Sequence, residues 1–187
     1  MRKVILVAAI LSAVLAACGG GGGDSAAPAS GGSPASGPNA FDSVLGTYKS
    51  GCVVRPNPGG TQSEDVTIVI SDAVGSDRAK IVVTEKYYDV TTDCTGNLQE
   101  SYVLTGQITA AAVTKAITVG TKTGVAKTAQ LKLDAISVSK GTFTIPTPGA
   151  TTKVGYLIEG ANLYGLSGKR EADGLPDGFS RVVLVKQ

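Results

Sequence analysis

The stretch Val66-Thr67-Ile68-Val69-Ile70 decides the fold class. In an extended chain successive side chains point to opposite faces, so Val66, Ile68 and Ile70 share one side of a strand. The same alternation of Val, Ile, Thr and Tyr with polar residues recurs after Ala40, and turn-forming clusters separate the runs. Helical periodicity is hard to find in this region. We therefore predict an all-β protein.

The runs predict about eight to ten short antiparallel strands. Residues 110–124 permit either a strand or a loose hairpin. Apolar residues occupy odd positions up to Ala135 and even positions from Ile136, and this change of parity predicts a bulge. Because closure removes exposed sheet edges, an up-and-down barrel is favoured, with a β-sandwich as the alternative. The predicted strands contain Thr47–Val54, Val66–Ile70, Arg78–Tyr88, Leu98–Ile108, Leu131–Val138, Phe143–Ile145, Val154–Glu159, Asn162–Leu166 and Arg181–Lys186.

The N-terminus has the organisation of a secretory signal peptide. Met1–Lys3 is basic, Val4–Leu15 is apolar, and small residues follow. The apolar run is shorter than the ~20 residues that a spanning helix needs. Leu15-Ala16-Ala17-Cys18 resembles the lipobox of bacterial lipoproteins, which implies cleavage after residue 17 and attachment of acyl chains to Cys18. Two or more chains give stable membrane attachment. Ordinary secretory cleavage beside an incidental cysteine is the alternative.

The residues after the cysteine predict a linker and a destination. Gly19, rather than an aspartate, follows the cysteine, which resembles the pattern of Gram-negative lipoproteins exported to the outer membrane. Gly19–Ala40 is rich in Gly, Ser, Ala and Pro and cannot build a core. Such a coil has a root-mean-square span of about 25 Å. We therefore predict a lipidated linker over residues 18–40 and one folded domain over residues 41–187.

Composition argues against several classes of function. Removal of the signal peptide takes two of the 17 basic residues. The remaining 15 balance the 15 acidic residues, so the mature chain has no net charge. We therefore predict no nucleic-acid partner. The sequence contains no histidine, the commonest general base and a frequent metal ligand. We predict a protein that is not an enzyme and that has neither a cofactor nor a metal site.

The three cysteines divide into one anchor and one pair. With Cys18 assigned to lipid, Cys52 and Cys94 remain, and an oxidising compartment favours a disulfide between them. The loop that it closes is roughly forty residues long, for which the chain-entropy model gives ~4 kcal/mol. A two-cysteine metal site is the alternative, which the lack of His and of a CxxC motif disfavours.

Several residues resemble lipocalins and related calycins. Gly46-Thr47-Tyr48 is similar to the Gly-x-Trp opening of that family, with tyrosine in place of tryptophan. In lipocalins this aromatic residue packs near an arginine of the last strand, and Arg181 is the candidate here. The resemblance implies that the first and last strands are neighbours. The Gly-x-Tyr motif is followed along the chain by Cys52, Tyr88, Asp89, Cys94 and Gly96. This order of residues resembles that of bacterial lipocalin-like lipoprotein domains.

Candidate sites are few. Glu85, Glu100 and Glu159 lie within predicted strands and could point into a barrel lumen, although solvated positions are commoner for glutamate. Asp173–Gly178 lacks the ligand spacing of a calcium loop and is interpreted as a turn.

The expected function is that of a lipid-anchored outer-membrane protein of unassigned activity that binds a small apolar or amphipathic ligand in its barrel. A non-enzymatic envelope module that contacts another protein is the first alternative. A carboxylate-dependent hydrolase, which needs two acids converging in a cleft, is the second.

Overall fold

A computed structural model describes residues 39–57, 60–89, 92–119, 122–141 and 147–187. These residues form one short 3-10 turn, Asp42–Val44, and eight strands. None of the helical structure in this part of the chain is long and apolar enough to cross a membrane. The strands are β1 (Gly46–Asn57), β2 (Gly60–Val74), β3 (Arg78–Asp89), β4 (Asn97–Val119), β5 (Lys122–Lys140), β6 (Thr151–Glu159), β7 (Asn162–Arg170) and β8 (Pro176–Lys186).

The strands close into an antiparallel barrel in which each pairs with its neighbour in the sequence. Closure is made by β1 and β8, where Tyr48 lies opposite Lys186 and Lys49 opposite Val185. The predicted all-β class and up-and-down barrel are confirmed, and the sandwich alternative is wrong. The neighbouring first and last strands are also confirmed.

Several predicted boundaries need correction. β4 continues eleven residues past Ile108 to Val119, and β5 begins at Lys122, so residues 110–119 and 122–124 lie in two paired strands that lengthen the β4–β5 hairpin. β7 extends through Arg170, and β8 begins at Pro176 rather than at Arg181, so the turn between them is confined to residues 171–175. The predicted strand Phe143–Ile145 lies outside the described residues.

The predicted bulge lies in β5 and sets which side chains face inward. Thr105 pairs with Ala135 while Gly106 pairs with Leu133, so Asp134 is an extra residue in β5. One extra residue reverses the alternation, because side chains repeat every two residues along a strand. Leu133 and Ile136 therefore both pack on the core, as the parity change predicted.

Phe41 and Val44 close one end of the barrel. Both are buried among the inward-facing side chains of the strands. Asn39 fastens this segment to the β2–β3 turn, where its side-chain amide donates to the carbonyl oxygens of Gly75 and Arg78 at 2.7 and 3.1 Å. The Tyr48 hydroxyl donates to the Val44 carbonyl at 3.1 Å. Phe41 and the 3-10 turn that follows it thus cover one end of the main core, and we call residues 41–44 the plug.

The disulfide predicted between Cys52 and Cys94 is present. The two sulfur atoms are 2.13 Å apart and the Cα atoms 5.6 Å apart. The bond joins β1 to the turn between β3 and β4, across 42 residues of sequence. It fastens the end of the barrel opposite the plug.

A second apolar cluster lies outside the main core. The β4–β5 hairpin extends past the last pairing of β4 with β3, at Thr109, and of β5 with β6, at Lys127. We call this extension, residues 110–119 and 122–127, the arm. Inward-facing Tyr156 and Ile158 flank Leu157, so Leu157 points outward. The arm contributes to a cluster with the outer sides of β6–β8 whose members are Ile117, Ala126, Leu157, Tyr164, Leu166 and Phe179.

Candidate ligand cavity

An apolar cavity of about 90 Å³ lies inside the barrel, between the plug and the middle of the strands. Its walls include Val66, Ile68 and Leu131, and Phe41 closes one end. Because a water-sized atom needs ~10–15 Å³ by this measure, the cavity has room for on the order of six to nine such atoms. The space fits a small, slim molecule.

The missing side chain of one inward glycine, Gly165, creates part of this space. Gly165 lines the cavity, and no heavy atom lies within 4 Å of the place where its Cβ would be. Gly155 also lines the cavity, but there a Cβ would clash with the Leu166 side chain that leans over it. Gly165 therefore marks open volume, whereas Gly155 permits a close contact.

The cavity lies beside a seam in the sheet. Within these fully described strands, β6 pairs with β7 only over Tyr156–Glu159 and Asn162–Gly165. β7 pairs with β8 along its length, and beyond Gly165 β8 is its only strand partner among the described residues. We define the seam as the gap between Thr151–Gly155 of β6 and Leu166–Arg170 of β7.

The Arg170 side chain bridges the seam. Its guanidinium donates to the Lys153 carbonyl at 3.0 Å, to the Thr152 hydroxyl at 3.2 Å and to the Gly174 carbonyl. Burial lowers the pKa of Arg170 from its ordinary value. These side-chain hydrogen bonds replace the backbone ladder that the two strands lack here.

The arm covers the outside of the seam and is held by two lysines. Lys115 lies 2.6 Å from Glu171 and 2.9 Å from Asp173, both in the β7–β8 turn. Lys122 lies 2.6 Å from Glu159, and its Nζ is 3.7 Å from the centre of the Tyr164 ring. Each of these ion pairs has a solvent-exposed carboxylate and contributes little to stability, so the apolar cluster provides most of the arm's attachment.

A polar layer forms the inner end of the cavity. Glu85 is 1 % exposed, lines the cavity, and accepts hydrogen bonds on Oε2 from the hydroxyls of Tyr87, at 2.7 Å, and Tyr102. Burial, followed by the charge of Glu85, raises the pKa of Tyr102. The layer thus holds one carboxylate in a fixed orientation at the edge of an apolar space.

The predicted acidic residues have different positions. Of the three glutamates that could point into the lumen, Glu85 does so. Glu159 is exposed and paired with Lys122. Glu100 is half-buried and does not line the cavity.

Asp173 lies in a turn that leads into β8, and its pKa is lowered by the Leu175 backbone N–H and by Lys115. The turn interpretation therefore holds for Asp173–Leu175, whereas Pro176–Gly178 belong to β8.

Sequence reasoning missed Glu64. This residue is 0 % exposed and lies on β2, opposite Tyr87 of β3. It occurs two residues before Val66, in phase with the apolar side of the strand, and that phase is the signal that could have found it. Glu64 and Glu85 lie on adjacent strands, but Glu64 does not line the cavity.

Tyr48 is buried where the barrel closes. Burial raises its pKa, and the Nζ atom of Lys186 is 5.9 Å from its ring centre. The Arg181 side chain lies outside the described part of the structure, so the expected contact between Arg181 and Tyr48 stays a prediction.

The described residues contain no group of three or more His, Cys, Asp or Glu that could hold a metal ion.

Comparison with known proteins gives no match. No family model matches the chain, and no significant similarity links it to a curated protein or a solved structure. The resemblances to lipoproteins and lipocalins therefore depend on the quoted residues alone.

Proposed function

We propose that the protein is a lipid-anchored protein of the outer membrane whose barrel binds a small, slim and mainly apolar ligand. The observation that supports this proposal is the cavity of about 90 Å³ inside the closed barrel. Cavities lined by Leu, Ile and Phe stay dry and accept apolar ligands. The plug at Phe41 and the arm over the seam both shield this space from water.

The anchor and the cavity have separate supports. Acylation of Cys18 is supported by the lipobox-like sequence, and the outer-membrane destination by Gly19. The linker of residues 19–40 lets the barrel stand away from the bilayer. In this arrangement the barrel receives its ligand near a membrane that is itself a source of apolar molecules.

We propose no catalytic role for the buried carboxylates. A carboxylate-dependent hydrolase needs two acids that contact one substrate, and only Glu85 of the buried pair lines the cavity. A substrate in this space would therefore meet a single carboxylate. Ligand binding requires only the apolar walls and one polar contact.

The arm supports a second candidate function, contact with another envelope protein. Val113 and Val125 are 65 % and 58 % exposed, and both belong to the arm. Ala116, directly opposite Val125 in the hairpin, is exposed as well. Crosslinking in cells from this face would yield one reproducible partner if this second function operates.

Gly165→Leu is expected to abolish ligand binding without unfolding the barrel. The new side chain points into open cavity volume, because no atom lies within 4 Å of its Cβ position. We expect heptanol, used as a probe, to bind more than about tenfold more weakly to the variant, as lost apolar contact and steric exclusion combine. Titration calorimetry measures the change.

Ala135→Leu provides the matched control. Ala135 is exposed on β5, so the same added side chain points to solvent and heptanol binding should be unchanged. Equal binding of heptanol to the wild type and Gly165→Leu would contradict a site inside the barrel. Far-UV circular dichroism establishes that both variants are folded.

A further inference from the structure

The β4 side of the arm is a strand edge, and we call residues 114–118 the edge segment. β4 pairs with β3 only as far as Thr109, and no strand of the described chain continues that pairing along the edge segment. Alternate residues of an edge strand point their backbone N–H and C=O groups away from the hairpin. Thr114, Ala116 and Thr118 are exposed, so solvent reaches this strand. The edge segment therefore offers hydrogen-bonding groups to a further strand.

The features that usually protect an edge strand do not block this one. The bulge at residues 112–113 comes before the edge segment, which pairs with β5 in regular register. Lys115 is the single charged residue of the segment, but its ammonium group is turned to Glu171 and Asp173, and its side chain is only 12 % exposed. No proline interrupts the segment. The edge is thus open to pairing with another chain.

The edge segment is complementary to a second copy of itself. Its sequence, Thr-Lys-Ala-Ile-Thr, has threonine at both ends and alanine at the centre. In an antiparallel pair centred on Ala116, Thr114 lies opposite Thr118 of the second copy. Lys115 then lies opposite Ile117, so no two like charges face each other directly. Paired threonines are favourable, and the small central side chains let the strands approach. Each lysine also keeps its own two carboxylate partners.

We infer that two copies of the protein dimerise through their arms, with the edge segments paired antiparallel about Ala116. The two hairpins then form one sheet in the order β5–β4–β4–β5. The inference goes beyond the proposed function, because neither the cavity nor its ligand takes part. Five residues a side are far fewer than the ~20–30 of a standard interface, so we expect a weak dimer. Attachment of both copies to one membrane, as proposed above, would raise their effective concentration.

Disulfide formation between copies, after mild oxidation of the cells that produce the protein, tests the contact in place. Ala116→Cys sets two thiols directly opposite each other, within the about 4.4–6.8 Å between Cα atoms that a disulfide needs. Electrophoresis without reductant should show a dimer that dithiothreitol splits. Val125→Cys is the matched control and should stay monomeric. Val125 is exposed and lies opposite Ala116 in the hairpin, one strand away from the proposed contact.

Thr114→Cys and Thr118→Cys test the register of the pair. Copies that carry different substitutions should become linked when they are produced together, whereas each variant alone should stay monomeric. All four substituted positions are exposed, so the variants should fold like the wild type. Absence of the Ala116→Cys dimer, or as much dimer from Val125→Cys, would overturn the inference. A linked dimer of Thr114→Cys alone would contradict the register. None of these outcomes bears on ligand binding in the cavity.

Discussion

Replacing Cys52 and Cys94 together by serine is expected to lower the free energy of unfolding by about 4 kcal/mol. The bond closes 42 residues of chain, and its loss increases the conformational freedom of the unfolded state. The native barrel also loses the link between β1 and the β3–β4 turn. Urea denaturation of the oxidised wild type and the double variant measures the difference.

Reduction of the wild type supplies the control for that prediction. Dithiothreitol should lower the stability of the wild type to that of the double variant, and should leave the variant unchanged. A loss of less than about 1 kcal/mol would show that strand pairing alone fixes this end of the barrel.

Cys18→Ser is expected to abolish the incorporation of palmitate completely. Two or more acyl chains bury enough methylene groups for stable attachment, at ~0.8 kcal/mol for each group, and the linker offers no other apolar anchor. Labelling with radioactive palmitate, followed by membrane sedimentation, measures both attachment and location.

Ser25→Ala, in the same linker, is the matched control and should keep both the label and the membrane location. Palmitate that is still incorporated after Cys18→Ser would place the lipid elsewhere. The absence of any label in the wild type would overturn the anchor, although the barrel and its cavity would be unaffected.

The sequence predicted the barrel well where one face of a strand is strongly apolar. Val66, Ile68 and Ile70 all face the main core of the barrel. The bulge at Asp134 was also detectable, because Leu133 and Ile136 are large enough to reveal the change of phase. Alternation is informative in these strands because only one side of each is buried.

The arm could not be predicted because its apolar content is low and depends on distant partners. Ile117 and Ala126 are buried against Phe179 and Leu166, which lie some fifty residues further along the chain. Val113 and Val125, equally apolar, are exposed. A pattern that mixes Thr, Ala and Lys does not show which of these residues will meet a neighbouring strand.

The site was predictable only in part. A lumen with apolar walls follows from the fold, and Glu85 was a candidate from its position in a strand. Glu64 was missed because buried glutamates are rare in proteins. The seam depends on where β6 leaves β7, and the open volume depends on Gly165 facing inward. Both are properties of strand register, which the local sequence does not specify.

Native mass spectrometry of the acylated protein, extracted from its own cells with a steroid-based detergent too bulky for the cavity, tests ligand binding most directly. The wild-type barrel should carry an additional mass of one small molecule, and Gly165→Leu, isolated in the same way, should not. Wild-type protein that contains only the mass of its polypeptide and acyl chains would contradict a ligand-binding barrel.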